Sequence, residues 1–319
     1  MRLRGFVALV PLVASVTLGS PAAQASPQPG DVYVVGPAAR SAALSFWTPA
    51  RIVTATAAAA PRQPPPLGPV FPAGALAPQL AAAAPRGIPS PVSFGGVPTV
   101  GALFYTKGGG KHFCTASVVS SRHRDLILTA AHCVYSSGRY SQNIEFVPGY
   151  HDGAAPYGSW PVAKIVVAKG WRQRHDPSLD YAYLEVAAPR NAAGSIQDVT
   201  GALNLDFYLH DAQRITVIGY NDTDQHPIRC ATRSFKFSNS QMEFYCRNFW
   251  YGTSGGPWII HYRGDNGTGT VFGVIGGYQD GGNQSWASYS PIFWQSAQAL
   301  FRQAEAAAAG AARSSLSAA

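Results

Sequence analysis

Between residues 98 and 278, short apolar or alternating runs recur. They are PTVGALFY (98–105), FCTASVVS (113–120), DLILTA (125–130), NIEFV (143–147), WPVAKIVVA (160–168), YAYLEV (181–186), RITVIGY (214–220), RSFKF (233–237), PWIIHY (257–262) and TVFGVIGGY (270–278). Runs of this length, with Gly, Asp, Asn and Pro between them, predict strands joined by turns. Helical spacing is missing between the runs, so a parallel α/β sheet is disfavoured and an all-β sandwich or barrel is expected. The chain end reads differently. Ile292, Phe293, Ala297, Leu300 and Phe301 repeat at helical spacing behind Ser290-Pro291, a good N-cap and first-turn pair. A terminal helix packed on the β body is expected there.

The flanks lack this texture. Residues 1–25 read as a secretory signal: Arg2 and Arg4 form a charged start, Phe6 to Leu18 an apolar core, and Ala23-Gln24-Ala25 a cleavage site. A membrane anchor is the alternative reading, disfavoured because the run is shorter than the ~20 residues a span needs and contains Pro11. Residues 26–91 are dense in Ala and Pro. Pro breaks regular backbone ladders and Ala buries little surface, so this stretch is expected to be a mostly disordered propeptide or linker, with Arg86 as a candidate processing point. The folded domain then spans 92–306, and the Ala-rich tail 307–319 is expected to be irregular.

Charge and cysteines narrow the class. Of 24 basic and 16 acidic residues, six arginines and one aspartate precede residue 87, leaving 18 against 15 in the body. That mild excess forms no basic run, so nucleic acid is not an expected partner. No later stretch is apolar enough to cross a membrane, so the product is expected to be soluble and extracellular, without membrane contact after signal removal. Four cysteines in an exported chain suggest two disulfides. Three pairings exist; Cys114–Cys133 and Cys230–Cys246 are favoured because each closes a short local loop. No C-x-x-C pair supports a zinc site, and no metal is expected.

Three segments carry candidate chemistry. Thr129-Ala130-Ala131-His132-Cys133 follows an apolar strand and offers His132 as a general base. Asp180 heads the alternating strand YAYLEV and can hold the working tautomer of that imidazole, whereas Asp176, followed by Pro177 and Ser178, reads as a turn carboxylate. In NFWYGTSGGPW (248–258), Ser254 sits among three glycines. A serine nucleophile needs a base and preplaced N–H donors, and the Gly252 and Ser254 amides suit that role.

TAAHC, the aspartate-headed strand and GTSGGP, in that order over residues 95–305, resemble the chymotrypsin/trypsin family of serine proteases. The resemblance implies two antiparallel six-stranded barrels, a C-terminal helix, and an active site between the barrels. It also implies that His132, Asp180 and Ser254 form the triad of an endopeptidase acting through an acyl-enzyme, without a cofactor, as a monomer on protein or peptide substrates. The strand FCTASVV resembles the one holding the cysteine partner of the TAAHC cysteine. Two departures matter. Thr253 replaces the aspartate that pairs with a freed N-terminal amine in trypsin-type enzymes, so the leaning is toward bacterial secreted, glutamyl-endopeptidase-like relatives, with a propeptide that does not act through that switch. Asn248 stands where trypsins keep a pocket aspartate, so strong Arg or Lys preference is not expected; Gly276, Gly277 and Tyr278 are the other expected pocket residues. A non-catalytic binding protein on this scaffold and an esterase are the rival readings.

Overall fold

The computed structural model describes residues 30–57, 84–209, 212–221, 226–264 and 266–316, with side chains through residue 308. The expected signal lies outside these residues, as does the Ala/Pro-rich stretch 58–83. The first stretch forms β1 (Gly30–Val34), α1 (Pro37–Phe46), α2 (Pro49–Ile52) and β2 (Thr56–Ala57). Then follow β3 (Val92–Ser93), β4 (Val100–Lys107), β5 (Gly110–Val118), β6 (Leu126–Thr129) and α3 (Ala131–Val134). A hairpin of β7 (Tyr135–Ser136) and β8 (Arg139–Tyr140) leads to β9 (Gln142–Pro148), β10 (Trp160–Ala168), α4 (Lys169–Arg174) and β11 (Ala182–Val186). The second half contains α5 (Ile196–Thr200), β12 (Asn204–Leu205), β13 (Arg214–Tyr220), β14 (Pro227–Lys236) and β15 (Gln241–Tyr245). It ends with β16 (Pro257–Arg263), β17 (Thr268–Val274), β18 (Ala287–Pro291) and α6 (Gln295–Leu316).

Six strands close a barrel in the order β10-β11-β6-β5-β4-β9, and β9 returns to β10 through Phe146↔Trp160 and Glu145↔Pro161. Alternate residues point inward, so Leu103, Ile127, Phe146, Ile165 and Leu184 are fully buried in its centre. Both disulfides pair as favoured, Cys114 with Cys133 and Cys230 with Cys246.

The expectation of two closed six-stranded barrels with one helix is corrected here. Only the first sheet closes. The second has eight strands, runs β12-β17-β16-β13-β14-β15-β18 with β3 against β14, and stays open. Part of the edge of β17 that a closing strand would use is taken by β12, through Asn204↔Thr270 and Leu205↔Val271. Nearer its end, the Val274 N–H goes to the Ser290 hydroxyl at 3.0 Å rather than to a backbone carbonyl. Six α-helices occur among the described residues, mostly short turns linking strands.

Two further boundaries move. Ser290-Pro291 ends β18, paired to Met242 and Gln241, so the helix starts later, at Gln295, and continues through Leu316 into the stretch expected to be irregular. Ala297, Leu300 and Ala304 bury its inner face. Residues 30–57, expected to be mostly disordered, form regular elements instead. β1 adds to β10 over five residue pairs, and Trp47 is only 5% exposed. The Ala/Pro-rich composition hides a few anchoring aromatics that find a ready sheet edge.

Candidate active site

The buried strand β6 delivers Ala130 and Ala131, both without exposed surface, into the single turn α3 that carries His132. Cys133 ties this turn to β5. Asp180 follows a 3-10 turn, Pro177–Leu179, which Asp176 caps by accepting the Ser178 N–H at 3.0 Å. Asp176 is thus a turn carboxylate, as read from the sequence.

Asp180 is wholly buried, and its oxygens are held by three donors. Oδ1 accepts the His132 backbone N–H at 2.9 Å. Oδ2 lies 2.8 Å from His132 Nδ1 and accepts the Gly277 N–H at 2.8 Å. An ionised carboxylate only accepts, so Nδ1 carries the proton and Nε2 keeps its lone pair for incoming chemistry. The chain passes close over this residue: a Cβ on Gly276 would lie 2.8 Å from the Asp180 backbone carbonyl oxygen and 3.1 Å from its Oδ2. Burial draws the imidazole pKa down, but the Asp180 charge, its hydrogen bond and the nearby Asp280 carboxylate outweigh it, so His132 is raised above the usual histidine value.

Ser254 sits in the turn before β16. Thr115, fully buried on β5, fastens this turn twice. Its N–H donates to the Ser254 carbonyl at 2.8 Å, and its hydroxyl donates to the Gly252 carbonyl at 3.0 Å while accepting the Tyr220 N–H at 2.9 Å. Gly252 has φ +93°, and a Cβ there would meet Phe113 Cε2 at 2.5 Å; Gly255 has φ +80°, and a Cβ would meet the Thr115 carbonyl oxygen at 2.2 Å. Both positions therefore demand glycine. Among the described residues, neither the Gly252 nor the Ser254 N–H has an acceptor, which leaves two amide donors available to an oxyanion. Thr253 is buried, and both its N–H (3.2 Å) and its hydroxyl (2.7 Å) donate to the Trp250 carbonyl. The loop is closed from within, without an ion pair.

His132 and Ser254 line one cavity of about 340 Å³. Its walls include Phe249, Trp250, Ile275 and Ala287, with Lys107 and Asp280 as charged groups. The four residues expected to form the pocket, Asn248, Gly276, Gly277 and Tyr278, do not line it. Asn248 occupies an exposed turn at φ +58°, its carbonyl accepting from Asn221. The Gly277 N–H is engaged by Asp180, and the Tyr278 N–H by the Gln241 side chain at 3.1 Å. Position counted back from the serine identifies the turn but not which way it faces. Thr115 and Asp280 escape sequence reading because their roles exist only through space. Asp280 reaches the site from a turn in which it has φ +54°, and one ligand atom each from it, His132 and Asp180 lie within 4.8 Å of one another. A second such group, Cys114, Cys133 and His132, contains the disulfide. In the first, His132 Nδ1 and Asp180 Oδ2 are already bonded to each other, and in the second both sulfurs are spent in the disulfide.

Residues 90–293 match the family model described as Trypsin. The chain belongs to the trypsin family. It is a serine-type endopeptidase with a trypsin-like fold. Among solved structures, the protease Anisep from Arthrobacter nicotinovorans is 26% identical with a TM-score of 0.60, the likeness covering 67% of this chain and 98% of that one. The thermostable serine protease AL20 from an extremophilic microorganism is 24% identical (TM-score 0.58; 66% and 97% covered). A Glu endopeptidase in complex with MPD is 17% identical (TM-score 0.55; 69% and 98% covered). The last two likenesses speak to fold. A search of curated proteins returns no match.

Proposed function

We propose that this trypsin-family protease cleaves peptide bonds with His132 as base and then acid, Asp180 as its orienting carboxylate, and Ser254 as the acylated nucleophile. The observation that carries the reading is an imidazole locked by Asp180 sharing one cavity with a serine whose own N–H and that of Gly252 have no acceptor among the described residues. In the first step Ser254 Oγ attacks the scissile carbonyl and His132 Nε2 takes its proton. The oxyanion that forms faces the Gly252 and Ser254 amides. Collapse of the intermediate breaks the C–N bond, the leaving amine takes the proton from His132, and the acyl-enzyme remains. Water repeats the sequence to release the acid and restore Ser254.

The wall of Phe249, Ile275 and Ala287 favours an uncharged side chain on the residue before the scissile bond. Thr253 bonds to its own loop, so activity does not depend on a freed N-terminal amine. The signal-like start and two disulfides fit a secreted enzyme acting as a monomer on extracellular proteins. No helix among the described residues is long and apolar enough to cross a membrane. The test is cleavage of a peptide library by the wild type and by Ser254→Ala. The reading requires cuts after uncharged residues that vanish in the variant. Ester hydrolysis without peptide cleavage, or equal cleavage by Ser254→Ala, would overturn it.

A further inference from the structure

The N-terminal residues 30–57 lie outside the trypsin-family match at 90–293, yet they are bound to the barrel along their whole length. β1 pairs with β10 from Gly30↔Ala168 to Val34↔Lys164, covering an edge that β9 leaves open after Pro161. Gly30 is clasped by Gln303 of α6, which accepts its N–H at 2.7 Å and donates to its carbonyl at 2.8 Å. Asp31 forms an ion pair with Arg172, and Tyr33 stacks on Tyr140 with ring centres 4.3 Å apart. Further along, the buried Trp47 indole N–H donates to the Asn143 carbonyl at 2.6 Å. Lys111 donates to Thr54 at 2.6 Å, and Thr56-Ala57 pairs in parallel with His112-Phe113 on β5.

These contacts reach the reacting loop. Trp47 and Ile52 share an apolar cluster with Phe104, Phe113, Tyr150 and Tyr220. The Trp47 ring centre is 5.4 Å from that of Phe104, which lies 6.3 Å from that of Phe113. Phe113 is the ring that crowds Gly252, and the carbonyl of Tyr220 bounds the same glycine from another side. A segment destined for removal would leave a bare strand edge on β10 and an open apolar pocket over this cluster.

We propose that residues 30–57 are a permanent strap of the catalytic barrel, retained in the active enzyme, and that Trp47 positions the Gly252 loop by bracing Phe113. A cut between residue 57 and the protease domain then leaves two chains that stay together. The positioning half rests on the oxyanion role proposed above for Gly252.

Two experiments on the full-length secreted protein test this. Native and denaturing mass spectrometry of the purified active enzyme should find residues 30–57 in every molecule, either covalently continuous or as a fragment that leaves only in denaturant. Fully active enzyme lacking these residues would overturn the proposal. Trp47→Ala, counted by titration with a fluorophosphonate, should lose about tenfold in kcat per titrated site with KM within about twofold, while Trp47→Phe recovers most of the loss. Its Tm should fall by roughly 10 °C. Ile52→Ala, a smaller truncation in the same cluster, should lower kcat about threefold and serves where Trp47→Ala does not accumulate. Wild-type kcat per site in either alanine variant would overturn the positioning role. Ser254→Ala separates the two readings: a variant that still titrates sinks the site assignment, whereas loss of titration beside wild-type kcat in Trp47→Ala sinks the positioning role of Trp47 alone.

Discussion

Replacing Thr115 by valine keeps the shape of the side chain and removes one oxygen. That oxygen joins three segments far apart in sequence: it donates to the Gly252 carbonyl and accepts the Tyr220 N–H, across 137 and 105 residues. Thr115 is wholly buried, and both partners are buried too, so water does not replace the lost bonds. Each orphaned buried group costs about 1–3 kcal/mol, so the two together cost roughly 2–6 kcal/mol. For a domain of this size, each kcal/mol lowers Tm by about 2–4 °C, so a fall of roughly 10 °C is expected by calorimetry. The kinetic effect should be selective. The Thr115 N–H still holds the Ser254 carbonyl, so the nucleophile stays placed while the Gly252 peptide loosens. Because oxyanion donors act on the transition state, kcat should fall by about tenfold to a hundredfold with KM little changed. A Thr115→Val enzyme with wild-type Tm and wild-type kcat would refute the reasoning. So would a loss confined to KM.

Asp280→Asn removes a negative charge that favours the His132 imidazolium, so the His132 pKa falls and the acid limb of the kcat/KM profile moves to lower pH. Asp180, Lys107 and His175 also act on Asp280, and Lys107→Met should move the limb the opposite way; a profile that stays put in both variants contradicts this. Glu145 is buried, and burial pushes its pKa up to about 7, above its ordinary value near 4.5. The folded state therefore binds the proton more tightly, and stability falls as pH rises from about 4.5 through 7. Glu145→Gln should match the wild-type Tm near pH 4 and exceed it above pH 7; equal Tm at all pH values would count against it. The Cys230→Ser, Cys246→Ser double variant opens a loop of sequence separation 16, so a loss of about 3 kcal/mol is expected from denaturant titration, with a loss near zero as the refuting result.

Local chemistry made much of this molecule readable in advance. His132, Asp180 and the Gly252–Gly256 turn announce themselves because tight turns and a buried strand end permit few residue types. The strand runs were legible because alternation tracks the buried face, and WPVAKIVVA coincides with β10. What stayed hidden depends on edges and directions. The open second sheet follows from what occupies the edge of β17: β12, a two-residue strand with no pattern of its own, at Thr270 and Val271, and the Ser290 hydroxyl at Val274. The strap was masked by its composition, since Trp47, Phe46 and Ile52 carry its apolar burial amid alanines and prolines. The pocket lining was lost because Asn248 and Tyr278 turn away on left-handed and side-chain-bonded backbone, while Asp280 comes near His132 from a turn of its own.

The proposed catalysis relies on Ser254 reacting beside His132, with the charge of the oxyanion it forms taken up by backbone amides. The most direct measurement is a crystal structure of the enzyme inhibited by a fluorophosphonate. The adduct should sit on Ser254 Oγ, with one phosphoryl oxygen within hydrogen-bond reach of the Gly252 and Ser254 N–H groups. An adduct on another residue, or a phosphoryl oxygen turned away from both amides, would contradict it.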